Sequence, residues 1–160
     1  MNYRLFSIAF LVACASTRAL AAAPSTPIAI EHPYSHPTAA PGVPGVGFFT
    51  LINRGSKADR LISVQSPVAG SVEIHQSQVK DGVMQMRAVT EGVTLPVGKP
   101  VAFAPGGLHL MLFSLREPLQ EGVPVPVTLT FERAGTVTTR LQVEPREPPS
   151  ADADHSQHQH

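Results

Sequence analysis

Cysteine is nearly missing from this chain of 160 residues: its single copy, Cys14, sits within the first 23 residues. The region beyond it therefore has no disulfide framework, no thiolate metal site and no cysteine nucleophile. A charge excess is missing too, since twelve Lys and Arg face twelve Asp and Glu. Loss of residues 1–23 would remove Arg4 and Arg18 and no acid. The faintly acidic remainder is unsuited to nucleic acid or to polybasic membrane docking. The apolar run at the start, Leu5 to Ala13, is about half as long as a bilayer span requires. No segment keeps a helical period between caps. No carboxylate dyad or Ser/His/Asp set is visible, so an enzyme is not expected.

Residues 1–23 read as an export signal. Arg4 supplies the positive start, residues 5–13 the apolar stretch, and Ala19 with Ala21 to Ala23 the small-residue cleavage region. A second processing route stays open, because Leu11-Val12-Ala13-Cys14 resembles a lipobox, in which the cysteine is acylated and becomes the N-terminus. By either route the chain leaves the cytoplasm, and the periplasm is the expected compartment.

What is present is a series of short β-type runs separated by Gly and Pro. Strands are expected at 28–31, 47–53, 60–65, 71–78, 83–89, 100–104, 108–115, 125–132 and 136–143. Such spacing predicts an all-β sandwich or barrel, here a single domain over residues 24–145. Asp81-Gly82 between two runs predicts a tight hairpin. Pro126 suggests an edge strand, or a strand that begins just after it. Residues 32–46, rich in Pro, Ala and Gly, are expected to form an irregular loop over the sandwich. Residues 146–160 have almost nothing apolar to bury, which predicts a disordered tail carrying His155, His158 and His160.

The His and Met residues carry the chemistry. Met84 and Met86 are two apart on one expected strand, as are His109 and Met111 on another, so each pair shares a face. Leu108, Leu110 and Leu112 take the opposite face and would form the core. His75 leaves the face that Val72 and Ile74 bury. Thioether sulfur is a soft donor suited to Cu(I), and imidazole tolerates both copper oxidation states. A blue-copper electron carrier is excluded, because its site needs a thiolate. A lone Met on a strand is ordinarily core filler, and a lone His is ordinarily a satisfied side chain. A structural sandwich with incidental His and Met therefore stays open on these residues alone.

Ten residues separate His75 from Met86, twenty-two separate Met86 from His109, and His109-Leu110-Met111 closes the pattern. This spacing resembles the signature of the periplasmic PCu(A)C copper chaperones. Flanking stretches are similar as well, among them residues 47–53, Ser66-Pro67-Val68-Ala69 and Asp81-Gly82-Val83-Met84. The resemblance spans residues 27–143 and implies a cupredoxin-like, Greek-key β-sandwich. It implies Cu(I) held by His75, Met86, His109 and Met111, with Met84 as a substitute or supporting ligand. It further implies delivery of copper to the CuA-bearing subunit of cytochrome c oxidase, often alongside a thioredoxin-like copper chaperone, by a monomeric carrier. Membrane contact would come only through that partner or a lipid on Cys14. A periplasmic copper buffer would have the same site. The tail histidines, lacking thioethers, favour Cu(II) or Zn over Cu(I), and would make a weaker secondary Cu(II) site. His32 and His36 lie outside the pattern.

Overall fold

A computed structural model of the chain describes residues 26–146. The expected export signal with Cys14 and the expected tail with His155, His158 and His160 lie outside those residues. Ten strands and no helix make up the described part: β1 (Ile28–Ser35), β2 (Gly45–Asn53), β3 (Asp59–Gln65), β4 (Ser71–Lys80), β5 (Val83–Ala88), β6 (Val93–Leu95), β7 (Pro100–Phe103), β8 (Leu108–Phe113), β9 (Val125–Phe131) and β10 (Gly135–Val143).

Period-two alternation explains how these strands make one core. In β9, Val125, Val127, Leu129 and Phe131 are buried while Pro126, Thr128 and Thr130 between them are only partly covered. The strands pair in the order β5-β4-β8-β7-β2-β1-β10-β9-β3-β6, and β2 also pairs with β8. This sheet wraps over itself, so β3 packs near β4 although the two are distant in that order. Phe49 and Phe103 meet inside with ring centroids 4.5 Å apart, alongside Leu51, Leu110, Leu112 and Leu141. Full burial of each such leucine stabilises the fold by roughly 1.5–3 kcal/mol. The hairpin expected at Asp81-Gly82 is present, with φ of 53° and 75° joining β4 to β5.

Three expectations need correction. The loop predicted over 32–46 is shorter, because β1 runs on to Ser35 and β2 already begins at Gly45. Pro33 is accommodated where the β1–β2 register shifts between Glu31 and Tyr34, with His32 at φ 45°. Proline has no N–H to donate, and an interrupted ladder asks for none there. Second, β9 is not an edge strand and starts before Pro126: it lies between β10 and β3. The Pro126 carbonyl accepts the Ser66 hydroxyl at 2.7 Å, just past the end of β3, so the missing N–H faces no ladder partner. Third, the three residues of β6 gave no run long enough to read from sequence, yet Val93 and Leu95 are buried against β3.

Candidate metal centre

Strands β5, β4 and β8 are consecutive in the sheet, and residues paired across them share a face. The β4–β8 register sets His75 opposite His109 and Glu73 opposite Met111. The β4–β5 register sets Ser77 opposite Met86 and Val79 opposite Met84. His75, Met86, His109, Met111 and Met84 therefore all stand on one face of this sheet. The cause is local: Leu110 and Leu112, fully buried, claim the inner face of β8, and Ile74 does the same on β4. The alternation that builds the core thus turns the His and Met outward. Leu108, expected to join the core leucines, is only partly buried at the strand's start.

The two histidines form the fixed centre of this face. Their ring centroids lie 6.0 Å apart, and Phe113 flanks His75 at the same centroid distance. His109 is buried, with 5% exposure, although its face lies away from the core. Its Nδ1–H donates to the Gly107 carbonyl at 3.0 Å, which leaves Nε2 as the lone-pair nitrogen. That same carbonyl accepts the Ser77 N–H of β4 at 3.0 Å, so the Pro105-Gly106-Gly107 turn fixes both the ring and its neighbouring strand. His75 Nε2 lies 2.9 Å from Glu73 Oε2. Its Nδ1 is buried and has no hydrogen-bond partner. A buried nitrogen left without a partner ordinarily costs about 1–3 kcal/mol, and a metal ion would satisfy it.

The methionines are held less closely. Met111 and Met86 each lie one diagonal step from His75, in opposite directions along β4, about 7–8 Å away by ordinary sheet spacing. Met111 is half-buried, whereas Met86 and Met84 are 55% and 59% exposed. Long, unbranched thioether side chains can cross such a step. Among the described residues no three of His, Cys, Asp or Glu come together as a metal site. The soft donor atoms on the same face as the two imidazoles are the sulfurs of Met84, Met86 and Met111.

Sequence reasoning missed Glu73 and the acceptor role of the Gly107 carbonyl. Glu73 stands two residues before His75 on the same strand face, a period-two signal that was there to be read. The Gly107 carbonyl had no such signal, because backbone acceptors carry no residue identity. His32 and His36 engage Glu144 instead of the His75–His109 pair. His32 Nε2 lies 3.7 Å from the Glu144 carboxylate, and His36 Nδ1–H donates to the Glu144 carbonyl at 3.0 Å.

Comparison with known proteins agrees with this fold. Residues 28–143 match a family model described as "Putative lipoprotein LpqE-like". The "Putative lipoprotein Lxx21020" of Leifsonia xyli subsp. xyli is 33% identical over 96 residues, which cover 60% of this chain and 58% of that protein. An uncharacterized protein of Rickettsia prowazekii is 33% identical over 85 residues, 53% of this chain and 47% of its own length. The chain thus spans about half the length of these curated relatives. Among solved structures, the copper-bound PCuAC domain from PmoF2 aligns with a TM-score of 0.63 and 29% identity, covering 75% of this chain and 94% of that domain. The apo PCuAC domain from PmoF1 gives 0.62 at 25% identity, over 75% and 95%. The Cu(I) form of DR1885 from Deinococcus radiodurans gives 0.55 at 23% identity, over 72% and 78%, a likeness of fold. The PCu(A)C resemblance and the cupredoxin-like all-β fold expected from sequence are both borne out.

Proposed function

The chain belongs to the LpqE-like family, and on that premise we propose that it is a copper carrier which holds Cu(I) through His75, Met86, His109 and Met111. One observation carries this reading: two imidazoles sit opposite each other, each with one nitrogen left free, on a face that also bears three thioethers. Two nitrogens and two sulfurs suit Cu(I), and the thioethers give little hold on Zn, Mg or Ca. Copper here is cargo. The partly buried His pair and Met111 retain the ion, while the exposed Met86 is the first ligand an acceptor can displace. Transfer then proceeds by ligand exchange, without catalytic turnover.

The acceptor we propose is the CuA centre of cytochrome c oxidase, reached directly or through a thioredoxin-like copper chaperone, in the periplasm. The family's description as lipoproteins accords with export and with an anchor on Cys14. An intact-mass measurement that finds a soluble chain cut near Ala21 would overturn the anchor. His155, His158 and His160 would collect Cu(II) at a weaker site, a role overturned if truncation at Pro149 leaves Cu(II) stoichiometry unchanged.

X-ray absorption on the Cu(I)-loaded protein tests the central claim. Two sulfur and two nitrogen scatterers are expected, and a site with no sulfur ligation would end it. Delivery is tested separately, by oxidase activity of a deletion strain grown at low copper. Full activity there, together with lost copper tolerance, would make the protein a buffer.

A further inference from the structure

We infer that Glu73 is the positioning residue of this site: by holding the Nε2 proton of His75 it makes Nδ1 the nitrogen offered to the metal, whereas His109 offers Nε2. The inference rests on the copper reading but concerns a residue outside the four ligands. A carboxylate can only accept, so at 2.9 Å the neutral His75 must carry its proton on Nε2. The remaining lone pair then falls on Nδ1, the one buried side-chain nitrogen or oxygen among the described residues that has no partner. His109 has the opposite arrangement, because the Gly107 carbonyl takes its Nδ1–H. The paired rings therefore offer unlike nitrogens, and each is set by an acceptor lying behind the ring.

The two acceptors differ in kind. The Gly107 carbonyl is backbone and also tied to Ser77, so no substitution removes it. Glu73 is a side chain, half exposed and directly opposite Met111 across the β4–β8 ladder. It stands where it can fix both the ring orientation of His75 and the electron density on its free nitrogen. Outer partners of this type commonly change metal affinity by about 10–100-fold when removed.

Nitrogen-15 NMR of the full chain tests the inference without relying on copper transfer. In the apo protein His75 should show a protonated Nε2 and a bare Nδ1, and added Cu(I) should move the Nδ1 resonance. Glu73→Ala should weaken Cu(I) binding about tenfold or more against a competing chelator, with the thermal melt unchanged. Glu73→Gln keeps an oxygen acceptor for the same proton and should restore most of that loss. If Cu(I) moves Nε2 of His75 instead, or if Glu73→Ala binds as tightly as the parent, the inference is overturned while the copper site stands. If neither histidine responds to Cu(I), the copper reading itself fails.

Discussion

The two flanks of the site both present methionine on the same face but sit in opposite mechanical settings. β8 is held between β4 on one side and β7 with β2 on the other, and its inner leucines are fully buried. Its His109 is buried and tied to the Gly107 carbonyl. β5 is an edge strand, every one of its six residues is exposed, and one row of its backbone groups has no ladder partner. A carrier needs both settings. An ion gripped only by buried donors could not be passed on, and one gripped only by an exposed strand would not be kept.

The largest effect should come from cutting beneath the anchored flank. Leu110→Ala removes a fully buried side chain directly behind His109 and Met111, and about 2–5 kcal/mol of stability should go with it. Val83→Ala on the hairpin flank, where the side chain is largely exposed, should change stability by less than about 0.5 kcal/mol. Urea denaturation of the two variants checks the contrast. Equal losses would mean that β5 is packed as firmly as β8.

Next in size is a comparison between two carboxylates. Glu73 is half exposed, with His75 as its one hydrogen-bond partner among the described residues. Asp59 is buried and accepts three backbone N–H groups: Arg60 and Arg133 on Oδ1 at 2.7 and 2.9 Å, and Ala134 on Oδ2 at 2.9 Å. Burial pushes its pKa up, but those three donors and the Arg133 charge outweigh burial and hold it below the usual aspartate value. A carboxyl depressed in the folded state adds stability above its unfolded pKa of about 3.9, and that stability is lost as pH falls through the folded value. Asp59→Ala should therefore cost about 1–3 kcal/mol near neutral pH. The difference between parent and variant should shrink as pH drops below about 4. A gap that stays constant down to pH 2.5 would show that packing, and not the charged carboxylate, is what Asp59 supplies.

Much of this was legible in the sequence because strand alternation has a fixed period. Leu110 and Leu112 marked the inner face of β8, so His109 and Met111 had to face outward whatever the neighbours were. Strand adjacency was harder. That β5, β4 and β8 lie side by side, with His75 paired to His109, follows from long-range register that no local pattern of 160 residues encodes. The His-x10-Met spacing hinted at it only through family resemblance. The passage of β1 through Pro33 was hidden because proline argues against a strand, and here a bulge at Glu31–Tyr34 absorbs it. The burial of His109 was hidden for a related reason, since an outward-facing residue can still be covered by its neighbours on the same face.

The smallest effects give the sharpest test of the two-flank picture. Met86 and Met84 share strand, face and exposure, but Met86 lies one diagonal step from His75 and Met84 one step further out, opposite Val79. Met86→Leu keeps volume and apolarity and removes only the sulfur. It should leave the fold within about 0.5 kcal/mol of the parent. Cu(I) affinity should fall about tenfold, which corresponds to about 1.4 kcal/mol. Met84→Leu should change affinity less than about twofold. Chelator competition with both variants separates them. Equal losses would show that the hairpin slides and lets either sulfur reach the ion, so that the exposed flank is a moving pair of donors and not one fixed ligand.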